Sequence, residues 1–222
     1  LSPFLKGGHA TWKDIASGEA LTLDEDKEDE LVTLIKSTTG RANEDNPQKS
    51  LFFLEHQAGI GGSTFVKQVA WKLHTDLAVL ELKQYDNDAF SLLQKFYDQD
   101  IGANPILLIA EDTLPNLETA CDAFLSAMKN RRCAFLIACR EKNSLLDKYK
   151  SSNRRSFKQL RNKAIGLLES KFRKISPLSP NELDEKTRNF ETEVPNGIRT
   201  PFIIGLYYLE KDFNITAYTK KV

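Results

Sequence analysis

The sequence has few cysteines, no long apolar run and no excess of charge of either sign. Its 222 residues include three cysteines, Cys121, Cys133 and Cys139, whose spacing matches no metal-ligand pattern such as C-x-x-C. No apolar run approaches the roughly 18 residues that a transmembrane helix requires, so no membrane contact is expected. Lys and Arg number 31, as do Asp and Glu, which makes the net charge zero.

The cysteines and the N-terminal sequence both favour a cytoplasmic protein. Cys133 and Cys139 lie in an apolar run of strand length, and an odd number of cysteines suits a reducing compartment, where thiols pack as small hydrophobic groups. The start, "LSPFLKGGHATWKDIA", lacks the basic-then-apolar pattern of a signal peptide. Because the first residue is Leu rather than Met, we expect the chain to be a piece of a longer protein.

Apolar segments of strand length alternate with segments of helical period. Continuous apolar strands between helices predict a parallel sheet covered on both faces, and right-handed crossovers then give a doubly wound α/β sandwich. The predicted strands are 51–56, 77–83, 105–112 and 133–141, with a fifth short strand at 172–176. The predicted helices begin near Ser63 and cover 88–98, 116–130, 144–149 and about 156–171.

Two further helices are predicted after the sheet. Ser179, Pro180 and Glu182 have the spacing of a capping box with proline at the first helical position, and Thr200 precedes Pro201 in the same way. We therefore expect a helical extension that starts a lid or a second small domain. The predicted parts of the chain are a lead-in segment (1–22), an α/β core (23–176) and this C-terminal extension (177–222).

The stretch "LFFLEHQAGIGGSTFVKQVAWKL", residues 51–73, runs from a strand through a glycine-rich turn into a helix, which is typical of a phosphate-binding loop. Such a loop points backbone N–H groups at the phosphates and needs glycine where φ is positive and where the backbone lies close to the ligand. The pattern G-x-x-x-x-G-K-[ST] makes Ser63 the Mg²⁺-facing hydroxyl and Thr64 a phosphate contact. The predicted loop comprises Gly59, Ile60, Gly61, Gly62, Ser63 and Thr64.

The loop departs from that pattern at two positions. Gly62 stands where the lysine is expected, and His56 stands where the first glycine is expected. Losing one preorganised charge typically costs about 10²–10³ in rate, whereas the backbone donors and the helix dipole remain, so binding is expected to outlast fast turnover. We expect His56 to pack beside the loop and Lys67 and Lys72 to point away from it. The alternative is a strand-to-helix turn without a ligand.

Charged residues end the third and fourth predicted strands. Glu111 and Asp112 follow "ILLIA" at the edge of the sheet where ligands bind in α/β proteins. In a nucleotide site the first acid would hold Mg²⁺ with Ser63, and the second would orient the attacking water. Arg140 ends the next strand, where it can reach a γ-phosphate or pair with one of the acids. An acid pair in this position is also common as a helix cap.

Taken together, "EHQAGIGGSTFVKQVAW", "PILLIAED" and "FLIACRE" resemble the core of the STAND-type P-loop ATPases, the signal-transduction ATPases of large switch and immune proteins. "FLKGGHATWKDIASG" (4–18) and "TPFIIGLYYLEKDF" (200–213) look like flanking segments of one branch. That branch includes bacterial defence proteins and the vertebrate antiviral sterile-alpha-motif-domain-containing proteins, with Gly-Gly before the hydroxyl residues. The resemblance implies a P-loop NTPase sandwich in which 59–64 bind phosphate, Glu111 and Asp112 are the metal-and-water acids, and Arg140 is the first sensor.

The resemblance also implies a regulatory switch that binds ATP or ADP with Mg²⁺, hydrolyses slowly or not at all, and works with other domains of a longer chain as a homo-oligomer once activated. The alternative is a pseudo-ATPase scaffold that binds a protein or nucleic acid through the basic run from Lys148 to Lys174. That run holds ten Lys or Arg against one acid, Glu169, and residues 23–30 hold six acids. Both runs are explained more simply as solvated helix faces or loops.

Overall fold

The computed structural model describes residues 10–41, 46–86, 88–101, 104–141, 143–213 and 215. Most of the lead-in stretch 4–18 is therefore described, but its first six residues are not. Within the described ranges, none of the helices has the length and apolar character needed to span a bilayer.

Five strands and nine α-helices make up the regular structure of the described residues. The strands are β1 (Leu51–His56), β2 (Ala78–Glu81), β3 (Ile106–Glu111), β4 (Cys133–Arg140) and β5 (Asn153–Phe157). The helices are α1 (Trp12–Ala16), α2 (Glu25–Thr39), α3 (Gly62–Leu73), α4 (Ala89–Phe96), α5 (Leu117–Ala127), α6 (Leu145–Lys148), α7 (Asn162–Ile175), α8 (Pro180–Glu193) and α9 (Pro201–Leu209). Short 3₁₀ turns cover Pro47–Ser50 and Asn196–Ile198, and a π turn covers Tyr97–Ile101.

The chain divides into two compact units. The sheet unit comprises Glu25–Ala58 and Gly62–Phe157, and the helical unit comprises Leu1–Asp24, Gly59–Gly61 and Lys158–Val222. The three residues Gly59–Gly61 at the tip of the glycine-rich turn therefore group with the helical unit, although the residues on either side of them belong to the sheet unit.

The sheet is fully parallel and has the strand order β2-β3-β4-β1-β5, which confirms the predicted α/β class. The chain leaves β1 towards β2 on one side and later reaches β5 on the other. The turn after β1 consequently lies at the switch point of the sheet, outside the carboxyl ends of the strands, which is the usual ligand position in this class. In the register of the sheet, His56 lies beside Arg140.

Alternate strand residues face different layers of helices, as the pleat requires. Leu51, Phe53 and Phe135 belong to the buried cluster that includes residues of α4 and α5. Helices α2 and α3 also contact the strands. Fully burying a Leu or Phe side chain stabilises a fold by about 1.5–3 kcal/mol. The continuous apolar strands thus hold the sheet unit together, and they leave its edge available for polar residues.

The predicted fifth strand at 172–176 was wrong. Those residues end α7, whose buried residues Ala164, Ile165, Leu168 and Phe172 recur with helical spacing. The real fifth strand, β5, has the sequence "NRRSF", with only its last residue buried, so no apolar alternation marked it. Pairing with β1 at the edge of the sheet makes this polar segment a strand, because strand formation depends strongly on context.

Within the acidic stretch 23–30, residues 25–30 form the start of α2, where the helix dipole favours carboxylates. It is a solvated face only in part, since Asp24 and Glu28 are buried. Glu28 lies 3.1 Å from the Lys72 ammonium, and burial raises the pKa of Glu28.

The helical unit has the predicted caps. Ser179 and Glu182 form the complete capping box of α8, and Thr200 Oγ1 accepts a hydrogen bond from the Ile203 N–H at the start of α9. A Cβ atom on Gly205 of α9 would lie 2.9 Å from Phe172 Cζ of α7, so glycine permits the two helices to approach closely.

Candidate functional site

The turn after β1 has the backbone of a phosphate-binding loop. Gly59 and Gly61 have φ values of 76° and 98°, a region that side chains with a Cβ rarely adopt. Helix α3 then begins at Gly62, as expected from the sequence, and has no acidic residue in its first turn. The first N–H groups of a helix lack partners within the helix and carry a partial positive charge. This end of α3 is therefore suited to an anion.

The tip of the loop packs against two other segments of the helical unit. A Cβ on Gly61 would lie 2.6 Å from Leu23 Cδ1 and 3.9 Å from Pro201 Cγ. A Cβ on Gly59 would lie 3.6 Å from Thr200 Oγ1. Ile60, between the two glycines, is 1% exposed. Within this unit the loop tip and the start of α9 are thus direct neighbours.

His56 lies beside the loop, as predicted, and its ring is in close contact with Gly62. A Cβ on Gly62 would lie 2.2 Å from His56 Cδ2 and 2.3 Å from Cγ, far closer than any side chain tolerates. His56 Nδ1 is 2.9 Å from the carbonyl oxygen of Gln57, which fixes the ring orientation. The residue that replaces the first glycine of the pattern therefore requires glycine at the position of the missing lysine.

A cavity of about 220 Å³ opens beside the first turns of α3. Ser63 and Lys67 line it from α3, Glu81 and Lys83 from the end of β2, and Glu111 from the end of β3. The structure therefore brings together Ser63 and Glu111, the two predicted Mg²⁺ ligands.

Lys67 lines this cavity together with Ser63. Its position one turn after Ser63 places both residues on the same face of α3, a signal that the sequence contains. Its ammonium lies 3.4 Å from Glu81 Oε1, with both side chains largely buried. Lys72 does point elsewhere, since it forms ion pairs with Glu28 and Asp29 of α2.

Asp112 and Arg140 are paired with each other. Asp112 Oδ2 accepts hydrogen bonds from Arg140 Nε at 3.2 Å and from the Arg140 backbone N–H at 2.9 Å. The Asp112 side chain is 10% exposed and that of Arg140 is 59% exposed. Of the two arrangements predicted for Arg140, the ion pair is therefore the one present.

A magnesium ion would need ligands from outside the protein. No group of three or more His, Cys, Asp or Glu side chains in the described ranges is arranged to hold a metal. Mg²⁺ in nucleotide sites usually has one or two protein ligands, with phosphate oxygens and waters supplying the rest. The Ser63 hydroxyl and the Glu111 carboxylate, which line the same cavity, fit that pattern.

The basic run from Lys148 to Lys174 is spread over α6, β5 and α7, and at least six of its ten cations have partners within the protein. Carboxylates pair with Lys148, Arg155, Arg161 and Arg173, and backbone carbonyls accept from Arg154 and Lys171. Carboxylates therefore neutralise at least four of the ten cations, and backbone carbonyls hold at least two more.

A parallel α/β sheet with a glycine turn leading into a helix after β1, and an acid-terminated strand beside it, is the fold of a P-loop NTPase. The model of the family described as Novel STAND NTPase 5 matches residues 2–151. The chain belongs to this family, and is accordingly a nucleotide-binding module of the STAND type.

No curated protein matches the chain. Among solved structures, one titled "Structure of C. elegans PCH-2" is similar, with 14% sequence identity and a TM-score of 0.47, over 90% of this chain and 70% of that chain.

Proposed function

We propose that the chain is a regulatory switch module that binds ATP or ADP at residues 59–64 and hydrolyses ATP slowly or not at all. The family supplies the general expectation of nucleotide binding. The glycine turn and the acid-free start of α3 support an anion site that works through backbone N–H groups. The loop 59–64 itself contains no lysine, which favours nucleotide binding over fast hydrolysis.

The polar residues of the site have distinct roles in this proposal. Ser63 and Glu111 would hold Mg²⁺, which supplies charge neutralisation at the phosphates. Asp112 would orient water and Arg140 would contact the γ-phosphate. In the structure the Arg140 guanidinium is held by Asp112 instead, and this pairing supports slow hydrolysis.

The observation that carries the switch proposal is the contact between the loop tip and the start of α9. Gly59 and Gly61 adjoin Thr200 and Pro201, and Thr200 is the N-terminal cap of α9. A nucleotide that orders the loop would consequently change the surroundings of that cap. In this way the C-terminal extension (177–222) would respond to the bound nucleotide.

We further propose that the chain comes from a defence protein of the branch with Gly-Gly before the hydroxyl residues. The sequences "GIGGST" and "PFIIGLYYLEKDF" support this assignment. In such a protein the module would act with further domains of a longer chain and assemble into a homo-oligomer on activation. Nothing in the charge pattern favours the alternative of a nucleic-acid scaffold, because most cations of the basic run are paired.

Hydrogen exchange tests the switch. Exchange of the backbone amides in 200–206 is compared without nucleotide, with ADP and with ATP, after a nucleotide-dependent rise in melting temperature has shown that binding occurs. The proposal predicts a change in exchange at α9, while α5, none of whose residues lines the cavity beside α3, serves as the control. If nucleotide binds without any change in exchange at α9, the chain is a nucleotide-binding module but the switch proposal is wrong.

A further inference from the structure

The two departures from the phosphate-loop pattern lie in contact with each other. His56 replaces the first glycine and Gly62 replaces the lysine, six residues apart in the chain. The imidazole covers Gly62 so closely that a Cβ there would lie 2.2–2.6 Å from three ring atoms. In a loop with the standard pattern, the lysine side chain leaves the backbone at this position. The imidazole therefore fills the space in which that side chain would begin.

An imidazole can also donate a hydrogen bond to a phosphate, as a lysine does. His56 is half-buried at the carboxyl end of β1, next to the start of α3. Its Nδ1 is engaged with the Gln57 carbonyl oxygen at 2.9 Å, which leaves Nε2 as the ring atom for a ligand. Within the described ranges, no hydrogen bond of Nε2 to the protein is present. A protonated imidazole donates through both nitrogens, so Nε2 can bind a phosphate oxygen while Nδ1 keeps its contact.

We propose that the glycine and the lysine of the standard loop have been exchanged for a histidine and a glycine, and that His56 Nε2 donates a hydrogen bond to the nucleotide polyphosphate in place of the lysine ammonium. This inference rests on the proposed function. The loop is then rearranged rather than merely degenerate, because a side chain at the end of β1 takes over the hydrogen bond of the missing lysine.

The test compares the wild type with H56A, H56Q, G62K and the double variant H56G/G62K, with H74A as the control. His74 is an exposed histidine near the end of α3 that stacks on Trp71. H74A therefore removes an imidazole, as H56A does, but outside the loop. Each protein is titrated calorimetrically with ADP, with ATP and with adenosine, which lacks phosphate. Thermal unfolding checks that each variant is folded.

Loss of one hydrogen bond to a charged phosphate is expected to weaken ADP and ATP binding about ten- to a hundredfold in H56A. H56Q, which keeps a neutral N–H donor, should lose less, and H74A should lose nothing. Affinity for adenosine should not change in any of them. G62K alone should disturb the loop because its Cβ meets the imidazole, whereas H56G/G62K restores both the space and the cation and should bind the phosphates again.

The outcomes separate the two levels of the proposal. If the wild type binds nucleotide and H56A binds it equally well, His56 is not a phosphate ligand. The inference is then wrong, while the proposed function stands. If H56A binds more tightly, the imidazole obstructs the loop, which also overturns it. If the wild type binds no nucleotide, the proposed function fails and the inference fails with it.

Discussion

Asp112 and Arg140 form an ion pair at the ends of neighbouring strands, in which one carboxylate oxygen accepts from both the guanidinium Nε and the backbone N–H of Arg140. The backbone contact ties Asp112 to β4 even when the guanidinium moves away. Arg140 is mostly exposed, so moving it costs little. A γ-phosphate could therefore replace Asp112 as the partner of the Arg140 guanidinium without disturbing the sheet.

Arg140→Ala is expected to weaken ATP binding more than ADP binding, because only ATP offers a γ-phosphate to the guanidinium. The expected loss for ATP is about tenfold or more, as for a hydrogen bond to a charged group. Stability should change by no more than about 1 kcal/mol, since exposed ion pairs contribute little. Paired titrations with ATP and ADP measure the difference, and equal losses for both nucleotides would contradict a role at the γ-phosphate.

Gly61→Ala is expected to destabilise the protein and to abolish nucleotide binding. Its φ of 98° is strained for alanine, at about 1–3 kcal/mol, and the added Cβ would lie 2.6 Å from Leu23 Cδ1. The matched control is Gly166→Ala in α7, where nothing lies within 4 Å of the added Cβ. That change should stabilise the helix by about 0.5–1 kcal/mol. Denaturant unfolding of both variants checks the contrast, and a tolerated Gly61→Ala would show that the turn is not constrained.

Glu182 makes the helical unit sensitive to acid. Hydrogen bonds from Lys211 and from Ser179 lower the pKa of Glu182 from 4.5 to about 2. A carboxyl group whose pKa is lower in the folded state stabilises the fold above its unfolded value near 4.5, and this contribution is lost as the pH falls from there towards 2. Melting temperatures of the wild type and Glu182→Gln should therefore differ at pH 7 and converge near pH 2. A constant difference across that range would count against this role.

The three cysteines are expected to react only after unfolding. Burial raises the pKa of Cys121, Cys133 and Cys139 to about 12, so little thiolate exists near neutral pH. All three lie in the buried cluster of the sheet unit. A thiol reagent at pH 7.5 should label three groups per chain in denaturant and none in buffer. Rapid labelling of one thiol in the native protein would show that the core opens there.

The sequence predicts the elements whose apolar pattern is strong. The four apolar strands, the start of α3 and the capped helices α8 and α9 were found because burial and capping leave local signals. The strand β5 was missed because its arginines and serine carry no such signal, and its pairing with β1 comes from distant residues. The candidate site residues were likewise chosen from local sequence motifs.

What could not be read from the sequence is which side chains face each other. The contact between His56 and Gly62 depends on how the turn folds back, and the contact of Gly61 with Leu23 joins residues 38 positions apart. The ion pair of Lys67 with Glu81, the last residue of β2, likewise joins residues of different elements. Pairing across the sheet also decided between the two arrangements predicted for Arg140.

The most direct test of the central claim is a calorimetric titration of the wild-type chain with ADP and with Mg²⁺–ATP, beside a Gly61→Val and Ser63→Ala double variant. If backbone amides at the start of α3 hold the phosphates without a lysine, the wild type binds one nucleotide per chain and the double variant binds none. Absence of any heat or stabilisation in the wild type at millimolar nucleotide would contradict the claim.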